Sequence, residues 1–289
     1  MERFYSIAGT VYRIVADDNI MYEDDGVLSE YVTEPNNASY TVIFNGVSKL
    51  SEPAGELIFA SDDKLVYGSD GGEIRYEGCI GGSFSNAVMR VHRINDRKNV
   101  ELKYGDGRRL TPKTVLNCLQ IEHDVIENGG YILHASYIIY NGKAILFTAP
   151  SGTGKSTQAD LWVKYKNAEL INGDRAVVMA TDKGVYAYGI PFSGSSGVGK
   201  NVNAPILAIV YLSQARQNKI SYLNGFSAFK KIYQGCSVNV WNKKDVSVCV
   251  DLLNATLLRV PVFHLECLPN ETAVDILQEK LSEHCSAKL

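Results

Sequence analysis

The residues with the plainest chemistry stand in one nine-residue run, Ala149-Pro150-Ser151-Gly152-Thr153-Gly154-Lys155-Ser156-Thr157. An apolar stretch, Ala144-Ile145-Leu146-Phe147-Thr148, leads straight into it, and Gln158-Ala159-Asp160-Leu161-Trp162 can continue it as a helix. Strand, glycine-rich loop and helix are the context in which G-x-x-x-x-G-K-[ST] binds phosphate. Glycines at 152 and 154 let backbone N–H groups turn toward phosphate oxygens, where a Cβ would block the approach. A helix beginning near Lys155 adds its positive end. Residues Pro150 to Thr157 therefore predict a site for ATP with Mg²⁺, in which Lys155 reaches the β- and γ-phosphates and the Ser156 hydroxyl ligates the metal. Ala149 stands where the pattern has its first glycine, which begins the tight turn; a small alanine is the mildest replacement. The bland alternative, a glycine-rich turn of no function, sits poorly with a Gly-Lys-Ser-Thr run between a strand and a helix.

A second run, Gly194-Ser195-Ser196-Gly197-Val198-Gly199-Lys200-Asn201, also satisfies G-x-x-x-x-G-K but ends in Asn. Asn203-Ala204-Pro205 follows, which does not suit a helix starting at Lys200. This segment is rejected as a phosphate loop. It reads as a mobile loop lining the same site and contacting the acceptor, or as a plain surface loop.

The elements that must position these residues change in kind along the chain. Residues 1 to about 110 read as β-structure: Tyr40–Phe44, Leu57–Ala60 and Val100–Tyr104 are apolar or alternating, and Asn45-Gly46, Asp70-Gly71 and Asp106-Gly107 supply turns. At Thr111 the pattern switches. Thr111 can cap a helix with Pro112 in its first turn, and Val115, Leu116, Leu119 and Ile126 recur at helical spacing up to Gly129-Gly130. Beyond Tyr131, strands at 132–140, 144–147, 168–171, 206–212 and 262–266 alternate with helices from Lys155, near 245–258 and at 271–283. Such alternation indicates an α/β domain. The expected organisation is a β-rich domain at 1–110 and an α/β domain at 111–289, with the helix at 112–128 as a bridge.

Composition sets outer limits. The chain has 289 residues, 45% hydrophobic and 21% charged, the balance of a globular protein rather than a disordered one. A net charge of −3 offers nucleic acid no overall footprint. The segment Met1–Ala16 carries Glu2, Arg3 and Arg13 and lacks a signal-peptide core, and no apolar run reaches the ~18 residues that span a bilayer. A cytoplasmic protein is expected. Its six scattered cysteines read as reduced thiols, three glycosylation-like tripeptides carry no meaning there, and the acidic run Tyr22-Glu23-Asp24-Asp25 reads as a solvated loop.

Leu133-His134-Ala135-Ser136, the Ala149–Thr157 loop and Leu170-Ile171-Asn172-Gly173-Asp174-Arg175, in that order, resemble the catalytic domain of HPr kinase/phosphorylase. That domain is similar in fold to the nucleotide-binding core of phosphoenolpyruvate carboxykinase. Gly189–Gly194, Ala204–Ile209 and Leu265–Asn270 resemble later blocks of the divergent HPr-kinase-like proteins, some of them associated with modified-peptide gene clusters. The resemblance covers about 131–280 and leaves the β-rich half unmatched. It implies a P-loop-containing, HPr kinase/phosphoenolpyruvate carboxykinase-like α/β catalytic domain.

By the same resemblance, Lys155 and Ser156 match the phosphate-binding lysine and the metal-ligand hydroxyl. Asp174 matches the second carboxylate of an Asp-Asp pair, the one expected at Mg²⁺, while Gly173 stands where the first, the catalytic base, belongs. Proton removal then falls to Asp174, to another residue, or needs no strong base. His134 matches a histidine that precedes the phosphate-loop strand and could sit beside the γ-phosphate. Arg175 could neutralise the transferred phosphate, or pair with a surface carboxylate. The leading expectation is a kinase that moves the γ-phosphoryl of ATP to a hydroxyl, with serine of a protein or peptide the foremost acceptor. A small-molecule kinase and a catalytically silent ATP-binding regulator are the alternatives. Partners are thus the acceptor, no membrane and no nucleic acid, with a homo-oligomer allowed but not demanded.

Overall fold

A computed structural model describes residues 1–17, 20–22, 26–103 and 109–286. Asp106-Gly107, Tyr104 and the acidic residues Glu23, Asp24 and Asp25 lie outside the described residues. The chain divides into two compact units, Met1–Gln120 and Ile121–Leu289.

The first unit is built from strands β1 (Glu2–Ile7), β2 (Thr10–Ala16), β3 (Met21–Tyr22), β4 (Tyr40–Val47), β5 (Leu57–Ala60), β6 (Lys64–Ser69), β7 (Gly72–Glu77), β8 (Met89–Ile94), β9 (Arg97–Lys103) and β10 (Arg109–Leu110), then helix α1 (Pro112–Leu119). Eight strands form one sheet in the order β1-β2-β4-β9-β8-β7-β6-β5. Asp70-Gly71 makes the expected two-residue turn between β6 and β7, with Gly71 at φ +75. Asn45-Gly46 is not a turn. Both residues lie in β4, opposite Glu101 and Leu102, because β4 is central and its ladders to β2 and β9 override the local preference. Thr111 caps α1 as expected, accepting from the Thr114 amide at 3.2 Å.

The helix expected at 112–128 is two helices. Gln120 adopts a left-handed conformation (φ 47) and ends α1; α2 (Ile121–Glu127) begins directly after it. Leu119, Gln120 and Ile121 are all buried, and three successive residues cannot share one stripe of a straight helix.

The second unit continues with β11 (Gly130–Tyr140), β12 (Lys143–Thr148), α3 (Lys155–Lys166), β13 (Glu169–Asn172), β14 (Arg175–Thr181), β15 (Gly184–Gly189), β16 (Asn203–Gln214), β17 (Lys219–Leu223), α4 (Gly225–Tyr233), β18 (Cys236–Ser237), α5 (Lys243–Leu257), β19 (Val262–Cys267) and α6 (Glu271–Ser286). Its nine strands form one mixed sheet in which the long strands β11 and β16 serve two halves. In one half, β11 pairs antiparallel with β14, and β14 with β15. In the other, β12, β16 and β19 run parallel. Alternation along β12 sorts the core. Ile145 and Phe147 pack with Ala159 and Trp162 of α3 and Val274, Leu277 and Leu281 of α6. Ala144 and Leu146 face Ala228 and Ile232 of α4 and Cys249 and Leu253 of α5. The chain is therefore mixed α/β, with two large sheets and a two-stranded β3–β10 pair among the described residues, and the parallel half of the second large sheet carries helices on both faces. Among the described residues no helix is long and apolar enough to cross a membrane, and all six cysteines are free thiols.

Candidate functional site

The Ala149–Thr157 run occupies the C-terminal end of β12, between that strand and α3. Helix α3 buries Lys155, Gln158, Ala159 and Trp162, the i, i+3, i+4, i+7 stripe of a helix lying on a sheet. Trp162 anchors it, fully buried with its ring edge-on to Tyr140 at 5.1 Å. Truncating a side chain so placed costs about 3–5 kcal/mol.

Two backbone positions shape the loop. Gly152 (φ +75) and Gly154 (φ +114) occupy conformations that disfavour any residue with a Cβ. Ala149 has no such conformation; it is 8% exposed and packs among Phe147, Ala159 and Trp162. An alanine in the first motif position therefore leaves the backbone unstrained and adds a contact under α3. Gly154 forms the N-cap without a side-chain hydrogen bond, so the amides of the first helical turn are left to an outside acceptor. Lys155 is buried to 8% exposure, and its ammonium donates to the carbonyls of Ala149 (3.1 Å) and Pro150 (3.5 Å). Burial pulls its pKa down, against the opposing charge of Asp174. Pro150, Ser151, Ser156 and Thr157 are exposed along the loop and first turn, and Thr153 is half-buried. A cleft of about 420 Å³ opens beside them, bounded by Gly152–Gly154, Thr157, Gln158, Gln214, Cys267 and Pro269. Gln158 is 2% exposed, and its Nε2 has no hydrogen-bond partner among the described residues.

A second group assembles where β11 passes the turn between β13 and β14. His134 Nε2 lies 3.1 Å from Asp174 Oδ1, and Arg175 Nε lies 3.2 Å from Asp174 Oδ2. The pairing follows from register, since His134 on β11 is the partner of Arg175 on β14. The hydrogen bond from His134, together with the charge of Arg175, holds the Asp174 carboxyl below its usual range against burial. The Arg175 guanidinium sits 5.6 Å from the centre of the Phe192 ring. His134 is fixed through its backbone: its N–H donates to the Gly235 carbonyl at 2.7 Å, and its carbonyl accepts from Thr148 Oγ1 at 2.9 Å.

Asn172 organises the acid turn. It is fully buried, and its Oδ1 accepts from the amides of Asp174 (2.8 Å) and Arg175 (2.9 Å). Its Nδ2 donates to the carbonyls of Ile190 (2.7 Å) and Phe192 (3.1 Å). One amide thus satisfies four backbone groups and ties the turn to the segment after β15. Ser136, buried on β11, donates to the Gly173 carbonyl at 3.0 Å. Asn172 was not singled out from its residue type; the signal present was an Asn two residues before an aspartate at a strand end.

Gly173 has no space for a side chain. A Cβ built there would lie 2.3 Å from Ser196 Oγ and 2.6 Å from Ser196 Cβ. The position that a first carboxylate would need is filled by the Gly194–Ser196 turn. Gly199 then bridges to Asn172, and the Lys200 amide donates to the Ile171 carbonyl at 2.9 Å. The second glycine-rich segment therefore does line the acid turn, as an irregular strap with no helix after it.

Among the described residues there is no group of three or more His, Cys, Asp or Glu side chains able to hold a metal. Ser156 and Asp174 would give a cation two protein oxygens. That fits Mg²⁺, which keeps waters and draws further ligands from phosphates.

A family model described as "ScmC: SynChlorMet cassette protein ScmC" matches residues 113–268, just over half of the chain. No curated protein matches. Among solved structures, the Hpr(Ser) kinase/phosphatase from Coxiella burnetii aligns over 54% of this chain and 96% of its own, at 12% identity and a TM-score of 0.31. That is a distant structural similarity, too low to carry an argument.

Proposed function

The chain belongs to the ScmC family, whose description names no chemistry, and from its site we propose an ATP-dependent phosphotransferase acting on a hydroxyl, foremost a serine of a protein or peptide. The observation that carries this reading is a convergence. A strand–loop–helix with left-handed Gly152 and Gly154 and a buried Lys155 follows Thr148, whose hydroxyl bonds the carbonyl of His134, the residue whose imidazole holds the Asp174 carboxylate.

In this reading the amides of the loop and the first turn of α3 bind the β- and γ-phosphates, with Lys155 moving from the Ala149 and Pro150 carbonyls onto them. The adjacent cleft takes the nucleoside, and the unpartnered Gln158 amide supplies a donor there. Ser156 and Asp174 would hold Mg²⁺, which when bound neutralises charge on the phosphates. The acceptor oxygen forms a bond to Pγ as the bond from Pγ to the β–γ bridging oxygen breaks, and ADP leaves. A carboxyl with a depressed pKa is a poor proton acceptor, so Asp174 suits charge and positioning better than base catalysis. The hydroxyl proton passes to water or phosphate, since this transfer needs no strong base. His134 and Arg175 hold the carboxylate, and the Arg175 guanidinium offers positive charge to the phosphoryl in flight.

One observation favours a second reading, ATP binding without transfer: the place of a first carboxylate is filled by Ser196. Incubation with γ-labelled ATP, Mg²⁺ and lysate from the source separates the two, with Lys155→Ala alongside. Label on a hydroxyl acceptor, formed by the parent and lost in the variant, supports the transferase. Tight ATP binding with no labelled product in protein or small-molecule fractions supports the silent binder.

A further inference from the structure

The Gly194–Asn201 segment spells a phosphate loop and is not one, which leaves its serines unexplained. It lies against the acid turn at two points. A Cβ on Gly194 would stand 2.8 Å from Asp174 Cβ and 3.2 Å from Asp174 Oδ1, so the loop backbone passes directly beside that carboxylate. Two residues on, Ser196 Oγ would stand 2.3 Å from a Cβ on Gly173. Ser196 is exposed; its hydroxyl donates to the Ser193 carbonyl at 2.7 Å and accepts from the Val198 amide at 3.2 Å.

We propose that Ser196 is a phosphoryl acceptor within the chain itself, modified in cis by ATP held at Pro150–Thr157. The inference rests on the phosphotransferase reading above and names one acceptor for it. Ser196 Oγ forms the new bond to Pγ, the bond from Pγ to the β–γ bridging oxygen breaks, ADP leaves and the hydroxyl proton goes to water. Three features favour this residue. Its side chain faces the turn that carries Asp174, and Gly173 has no side chain to exclude it. Its hydroxyl is held by two ordinary hydrogen bonds to backbone on an exposed turn, where water can replace them. Gly194 (φ +55) and Gly197 (φ +67) flank it, giving the turn backbone freedom to present it. The Arg175 guanidinium beside Asp174 would offer the phosphoserine a counter-charge.

The test uses the whole chain with ATP and Mg²⁺ and no added acceptor, read by intact mass and phosphopeptide mapping. The expected result is a single phosphate on Ser196, with a rate constant independent of protein concentration. It should be absent in Lys155→Ala and in Ser196→Ala, and restored in part by Ser196→Thr. Phosphate on Ser193 or Ser195 instead, or a rate constant that rises with protein concentration, overturns the proposal. So does an unmodified Ser196 in a chain that phosphorylates a lysate acceptor, and there the phosphotransferase reading survives. Absence of any ATP turnover or transfer removes both.

Discussion

Two segments of this chain run through glycines to Gly-Lys, and the fold treats them in opposite ways. At 149–157 the run joins a buried parallel strand to a helix; Gly152 and Gly154 are left-handed, and Lys155 is buried at the helix start. At 194–200 the run makes a short turn, bridges to Asn172 and passes into β16, with Lys200 on the surface 2.7 Å from Glu169. The letters are nearly the same. What differs is the helix that follows, because only a helix start offers a row of unpaired amides to an anion. The Pro205 that argued against a helix after Lys200 lies in β16, paired with Tyr186.

The comparison can be broken at several points. The largest effect is expected at Asp174→Asn, which should lower phosphoryl transfer by about 100-fold or more. The same variant tests the electrostatics by pH. The Asp174 carboxyl is depressed by His134 and Arg175, so its contribution to stability is present above the unfolded value and lost as pH falls through the folded one. Urea unfolding should show the gap between parent and variant widest near neutral pH and closing below about pH 4. A gap that grows on acidification would contradict the pairing.

Asn172→Ala comes next. It leaves two partly buried amides and two carbonyls without their partner and should destabilise by about 2–4 kcal/mol. Thermal unfolding reads the loss; a shift no larger than that of an exposed substitution would remove Asn172 from the account.

Gly173→Asp sharpens the contrast between strap and acid turn. Alone it should destabilise, since its Cβ meets Ser196; combined with Ser196→Gly, part of the loss should return, with a coupling of about 1–2 kcal/mol. Additive effects would show that the two residues do not compete for that space. The smallest effect is expected at Ala149→Gly, about 1 kcal/mol of lost stability from backbone freedom and packing, with nucleotide affinity unchanged within about threefold.

The strand, glycine-rich loop and helix around 149–157 were legible because local pattern and place in the sheet agree there. The strand ends expected at 144–147, 206–212 and 262–266 fall inside β12, β16 and β19, apolar runs whose burial on both faces leaves a plain signal. The hairpin β14–β15 was not read, although Ala176–Met179 is apolar, because its strands alternate weakly around an Asp182-Lys183 turn. The straight passage through Asn45-Gly46 is set by partners distant in sequence. So are Asn172 and Ser196: an asparagine before a turn and a serine in a glycine-rich loop acquire their meaning only from the carbonyls, amides and missing Cβ they meet.

Calorimetric titration of ATP with Mg²⁺ into the parent, Lys155→Ala and Lys200→Ala tests the central claim most directly. Affinity should fall by about tenfold or more in Lys155→Ala, which removes a charged phosphate ligand, and stay within about twofold of the parent in Lys200→Ala, whose ion pair is exposed. Binding that survives Lys155→Ala, or is lost in Lys200→Ala, would contradict the assignment of the nucleotide to Pro150–Thr157.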